Sequence, residues 1–410
     1  MTPIIQTSCK RDDFFGSPQG NFPLFRFKAA VSIQTNDIKI LEGGGFLGTL
    51  SKMKEYASFA GAAIDLTTQS FQRVISTIKD GPPDRVPVIP QITYTLAQLT
   101  GVGLVEALHS PEKTANALIT GQTELGYDAI YTGWESSFNL LAEAMGCTMR
   151  FPENDVPQVA DHIVKNPADL DKVTIPDPHS AGRLPVHMKT VSLVKEGVGE
   201  EVPLFCYIPG PFTLAGQLCG VNQLMLATLR NPRFVHDITK LTSETSIRYA
   251  EANITAGINV VVAADPTASS SLISPEMFNT FAAPRLKEVF SAVIKAGAIP
   301  SLHICGQTTP ILEMMCATGA QILEIDHLVD LGKAKQEVGH KVCLMGNLNP
   351  TDLLLNGTPA EVEEASKICI KQAAKGGKYI LSSGCEIPPT APLDNIRAMV
   401  TAARKFGLYE

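Results

Sequence analysis

Short apolar runs rich in β-branched residues recur from residue 86 onward, each closed by turn residues. They cover residues 86–92, 129–134, 203–210, 260–266, 299–305, 321–327, 341–347 and 379–385. Nearly continuous apolar runs of this length predict strands buried on both faces, as in a parallel sheet. Helical spacing fills the gaps, with clear end signals. Residues 65–80 predict a helix that stops at Gly81-Pro82-Pro83. Asn231-Pro232 opens a helix that closes at Gly257, Ser274-Pro275 opens one that closes near Gly297, and Thr309-Pro310 leads to Gly319. Thr358-Pro359-Ala360-Glu361 reads as a capping box with proline at the first helical position, and its helix stops at Gly376-Gly377. A last helix runs from Pro392 to Phe406.

Eight strands alternating with helices predict an α/β fold, a (β/α)8 TIM barrel spanning residues 71–410. A doubly wound open sheet is the rival, disfavoured because no glycine-rich phosphate loop follows the first strand. Residues 1–70 show no clear period and are expected to form an N-terminal extension. Residues 135–202 make an unusually long connection, an elaboration expected over the barrel mouth.

Composition changes this picture little. With 44% hydrophobic and 18% charged residues, the 410-residue chain reads as a soluble globular protein. A net charge of −7 without Lys/Arg-rich runs argues against nucleic-acid binding. No apolar run reaches membrane-spanning length, and the N-terminus lacks a secretory pattern, so a cytoplasmic location is expected. The nine cysteines are then free thiols or metal ligands.

In a parallel barrel, functional groups sit at the C-terminal ends of strands. Those ends carry Trp134 and Glu135, Gly210 and Pro211, Asp265, His303 and Cys305, Asp326 and His327, Asn347, and Cys385 with Glu386. Side chains at i and i+2 of a strand share a face, so His303 and Cys305 converge. Cys385, ending the last strand, can reach the same mouth. One imidazole and two thiolates form a zinc set, and three protein ligands leave a fourth position open for catalysis. Asp265 is a candidate to orient a ligand or substrate. Glu135 or Glu386 could offer the metal a carboxylate, and Asn347 could hydrogen-bond substrate. Tyr94, Trp134 and Phe212 are candidates to line an aromatic substrate pocket.

The strings DRVPVIP (84–90), LAEAMGC (141–147), PGPFTLAGQL (209–218), AADPTASSSLISPEMF (263–278), LHICGQTTPIL (302–312) and SSGCEIPPTAPLDNIRAMV (382–400) resemble the uroporphyrinogen decarboxylase superfamily. They are most similar to its zinc-dependent methyltransferase branch, over residues 70–408. The resemblance implies zinc at His303, Cys305 and Cys385. It also implies a methyl group moved between a small substrate and the cobalt of a corrinoid (cobalamin) carried by a partner protein. Demethylation of an aromatic methyl ether is the first expectation. Methylation of a thiol such as coenzyme M from methylcobalamin is the alternative, and a decarboxylase is third. The decarboxylases carry a paired-arginine motif where this chain reads Pro90-Gln91-Ile92-Thr93-Tyr94, so the anchors for a polyanionic tetrapyrrole are missing. The extension also departs from the compact coenzyme M methyltransferases. Self-association into a homo-oligomer is left open.

Overall fold

The computed structural model describes residues 69–79, 81, 83–133, 138–152 and 157–409. Most of the expected extension, together with Trp134 and Glu135, lies outside the described residues.

Seven strands form one parallel sheet. They are β1 (Ile130–Tyr131), β4 (Leu204–Pro209), β5 (Val260–Ala264), β6 (Ile299–Ile304), β7 (Ile322–Ile325), β8 (Cys343–Leu348) and β9 (Tyr379–Ser383), paired in that order. Every residue in them is buried, as the unbroken apolar runs require. Alternate residues feed two separate apolar clusters. Tyr131, Phe205, Tyr207, Val260, Val262, Ala264, Met345 and Ile380 pack on one face. Val261, Ala263, Leu323 and Leu344 pack on the other with helical residues such as Ile238, Leu286 and Val289. The sheet is therefore curled around one core and wrapped by helices that form a second.

The segment 86–92, expected as a strand, makes only one isolated bridge, Val88 with Leu381. Pro87 and Pro90 remove two donors from it, which prevents a regular ladder. Its remaining groups reach both edge strands. Asp128 N donates to Val88 O at 2.7 Å beside β1, and Ile89 N donates to Leu381 O of β9 at 3.0 Å.

The helix expected over 65–80 begins at Ser70, but two others start where predicted. Asn231 caps Pro232–Thr255 by accepting from Phe234 N at 3.3 Å, and Thr358 and Glu361 make the reciprocal capping box of Pro359–Ala373. The single helix expected after Ser274 is divided instead into Pro275–Met277, a π turn over Phe278–Ala282, and Ala283–Lys295. Pro284 explains the division, because it cannot donate to the preceding turn and the wider turn absorbs the gap. The long connection holds the helices Phe138–Ala144 and Leu184–Val198. It also holds a hairpin of β2 (Thr148–Arg150) and β3 (Gln158–Asp161) that the periodicity did not announce. Among the described residues, no helix is long and apolar enough to cross a membrane.

Below β1 lies a buried charge cluster. Asp128 receives Arg73 Nη1 and Arg85 Nη1, each at 2.8 Å, and Val88 N at 2.8 Å. Arg73 also holds Asp84 at 2.7 Å. The cluster fixes the helix Ser70–Ile78 and the segment 86–92 to the start of the sheet.

Candidate metal centre

β6 alternates strictly. Leu302 and Ile304 point to the helices, while Ser301 and His303 share the opposite face with the inner cluster. Cys305 follows where the strand ends and stays on the His303 side. The turn beyond it is held by Asp326, whose Oδ2 accepts from Gly306 N at 2.9 Å. Cys385 arrives from the end of β9. There Gly384 lets two loops touch: a Cβ on it would lie 2.5 Å from His327 N.

These three side chains meet. His303 Nε2 lies 2.9 Å from Cys305 Sγ and 3.8 Å from Cys385 Sγ, and the two sulfurs are 3.3 Å apart. Among the described residues, theirs is the one group of three or more metal-ligating side chains whose donor atoms lie within 4.8 Å of one another. The electrostatics are those of a proton-sharing cluster. The hydrogen bond from Cys305 and the neighbouring imidazole hold the Cys385 thiol well below its usual range. That same bond to Cys385, together with burial, pushes Cys305 up. Burial alone would depress His303, but the Cys385 thiolate outweighs it and raises the imidazole to about 9. Without a metal, two protons therefore stay on the site.

One residue here escaped the sequence reading. Glu324 sits inside β7, fully buried, and its Oε2 lies 3.9 Å from His303 Nδ1. Ser301 Oγ donates to its Oε1 at 2.8 Å, and Tyr207 OH reaches Oε2 at 3.5 Å. Burial raises its carboxyl. A lone carboxylate in the run Ile-Leu-Glu-Ile was the available signal. Buried acids are rare unless they are partnered or functional.

The other candidates are placed as follows. Asp265 is fully buried, and its Oδ1 accepts from Thr213 N at 2.7 Å, so it caps the helix Pro211–Cys219. Its Oδ2 has no hydrogen-bond partner, and burial pushes its carboxyl up to about 6. Gly210 permits this approach, since a Cβ there would lie 2.3 Å from Asp265 Cβ. Asn347 is turned away from the thiols. Its Nδ2 donates to Asp326 O at 3.0 Å and Val329 O at 2.8 Å, which ties down the loop after β7. Phe212 is wholly buried in the helix-side core. Tyr94 is buried next to Thr93, whose N and Oγ1 donate to Glu386 Oε1 at 3.0 and 2.6 Å. Glu386 Oε2 has no hydrogen-bond partner, and burial pushes its carboxyl up to about 8.

Two other groupings imitate chemistry. Cys206, His187 and Asn253 are adjacent, but both Cys206 Sγ and Asn253 Oδ1 meet the same ring nitrogen, at 3.6 and 2.9 Å. Burial pushes that thiol up to about 12 and the imidazole down to about 4, so both are neutral packing groups. The string Asp177-Pro178-His179-Ser180-Ala181-Gly182 has the Asp-x-His-x-x-Gly spacing that carries a lower cobalt ligand in corrinoid-binding domains. Here Asp177 spends its carboxylate on its own turn, accepting from His179 N at 3.1 Å and Ser180 Oγ at 2.9 Å.

Comparison with known proteins places the chain in a family. The uroporphyrinogen decarboxylase (URO-D) family model matches residues 69–406. The chain is 31% identical to the methylcobamide:CoM methyltransferase MtaA of Methanosarcina barkeri over 340 residues, 82% of this chain and 97% of that protein. It is 27% identical to a uroporphyrinogen decarboxylase of Carboxydothermus hydrogenoformans, over 74% of this chain and 85% of that one. A solved methyltransferase from Methanosarcina mazei superposes with a TM-score of 0.76 at 30% identity, covering 82% of this chain and 99% of that one.

Proposed function

The chain belongs to the uroporphyrinogen decarboxylase family, and on that premise we propose that it is a zinc-dependent methyltransferase exchanging a methyl group with the cobalt of a corrinoid. The observation that carries the reading is the convergence of one imidazole and two thiols within 4.8 Å at the ends of parallel strands. The donor set fits zinc, a borderline-soft ion that takes sulfur and nitrogen, and the three side chains His303, Cys305 and Cys385 would hold it. A zinc ion there would supply Lewis-acid charge to a sulfur or oxygen of the substrate.

The chain's own groups do the rest. Glu324 borders His303 from the buried side and would steady the imidazole with Nε2 toward the sulfurs. Glu386, half-buried and next to Cys385, can hold a proton on Oε2 near neutral pH. Asp265 would position the loop after β5, and Asn347 the loop after β7. Tyr94 and Phe212, both buried in the helix-side core, support the wall from behind, and Trp134 and Glu135 stay candidates for the substrate side. Hydrogen bonds between the segment 86–92 and both sheet edges support closure of the seven strands and this segment into a barrel over residues 71–410, preceded in the chain by an extension over 1–70. Two thiols that must stay reduced support a cytoplasmic setting.

For the substrate, the relatives shift the order. Several are named for coenzyme M, so methyl transfer from a methyl-corrinoid to a thiol now leads, and demethylation of an aromatic methyl ether follows. The two separate in one assay pair. Zinc-loaded protein with methylcobalamin and a thiol is expected to give the thioether. With Co(I) cobalamin and a methoxylated aromatic, the ether reading expects a free phenol instead. If zinc-loaded protein gives neither product, the methyltransferase reading is overturned.

Glu324→Gln is expected to weaken zinc binding about 10–100-fold, the usual cost of losing an outer partner of a metal-bound histidine. Competition with a chromophoric chelator measures it, and an unchanged affinity would remove Glu324 from the site.

A further inference from the structure

We propose that Gln91 is a positioning residue for the metal centre, a buried amide that ties the chain around Cys385 to the groups behind His303. The inference rests on the zinc reading above.

Gln91 belongs to the segment that bridges the two sheet edges, and it is 1% exposed. A buried amide needs its polar groups bonded, and here the partners lie far away in the chain. Gln91 N donates to Ser383 Oγ at 3.1 Å, and Gln91 O accepts from Ile387 N at 2.8 Å. The side-chain Nε2 donates to Ser383 O at 3.3 Å. Ser383 and Ile387 stand two residues before and two residues after Cys385. One residue thus holds the turn that presents this sulfur on both of its sides.

The remaining group of the amide reaches the other arm of the site. Gln91 Oε1 accepts from Tyr207 OH at 2.8 Å. That hydroxyl stands 3.5 Å from Glu324 Oε2, which lies 3.9 Å from His303 Nδ1. The Tyr207 ring also meets the His303 ring edge-on, with centroids 6.3 Å apart. Gln91, Tyr207, Glu324 and His303 are all buried, so water does not compete for these contacts. The arms need such a tie. β6 brings His303 and Cys305, β9 brings Cys385, and β7 and β8 lie between them. No single ladder of backbone hydrogen bonds therefore sets the distance from Cys385 to His303. Gln91 sets it through the interior. A tetrahedral metal site tolerates little error in its donors, so arms fixed to each other beforehand favour binding.

The test uses the full chain and two metals. Gln91→Met keeps the length of the side chain and removes its amide. Its zinc affinity, measured by competition with a chelator, is expected to fall about tenfold, the lower end of what outer partners of a metal site contribute. Co(II) bound in place of zinc gives the second readout, because its visible bands report the field of the donors. Those bands are expected to shift and weaken in Gln91→Met. Tyr207→Phe cuts only the arm toward His303, so it is expected to change both readouts in the same direction and by less. Asn395→Leu is the control. It removes another buried amide, one that donates to Leu354 O and Gly357 O, and is expected to lower the melting temperature while zinc affinity and Co(II) bands stay as in the wild type. Wild-type zinc affinity and unchanged Co(II) bands in Gln91→Met would overturn the assignment, as would the same spectral change in Asn395→Leu. If Gln91→Met does not fold, Tyr207→Phe decides by the same criteria. Either result leaves the zinc reading standing, whereas a wild-type protein that binds no zinc overturns that reading and this one with it.

Discussion

Replacing Cys385 by serine is expected to strip the protein of zinc and abolish methyl transfer. The wild type should keep about one zinc per chain after dialysis, the stoichiometry of a three-residue catalytic site. The loss should exceed the ~10–100-fold that an outer partner costs, because a donor atom is removed outright. Cys385 is the sulfur most ready to bind, since Cys305 and His303 already hold it as thiolate. Loading must also displace the protons kept on His303 and Cys305, so zinc affinity should rise with pH toward the His303 value of about 9. Metal analysis of wild type and variant, with affinities at two pH values, checks both statements. Full zinc content in Cys385→Ser would sink the proposed centre.

The second large effect is on stability. Asp128→Ala should destabilise the protein by about 3–5 kcal/mol, the range for removing one partner of a buried ion pair. It would leave the Arg73 and Arg85 guanidiniums facing each other in a space nearly closed to water. Burial by itself would raise the Asp128 carboxyl, but Arg85 and Arg73 outweigh it and hold it below the usual value. A lowered folded-state pKa gives stability that is present above the unfolded value of about 3.9 and lost as pH falls below it. The wild type should therefore lose more stability between neutral and acid pH than the variant does. Urea midpoints at several pH values measure this. A loss under about 1 kcal/mol would mean that water reaches the cluster and screens it.

Much of the site was legible in sequence for a local reason. Strand periodicity puts His303 and Cys305 on one face whatever surrounds them. The repeated order of strand and helix makes the strands parallel, so the ends of β6 and β9 lie on the same side. Those two rules put Cys385 on the same end as the pair, and the curl of the sheet, with β7 and β8 between, brings it into contact. The same rules could not say how far each strand-end residue turns toward the mouth. Asp265 and Asn347 stand at strand ends as expected, yet one serves a helix N-terminus and the other a neighbouring loop.

The amino-acid sequence by itself determined the alternation of elements, the helix starts and the pairing of imidazole with thiols, because each depends on spacing within a few residues or on chain direction. Only the tertiary structure decided that Glu324 stands behind His303 and that segment 86–92 bridges two edges without being a strand. Those facts depend on which segments far apart in the chain are packed against each other, and on where a proline or a buried carboxylate finds its partner.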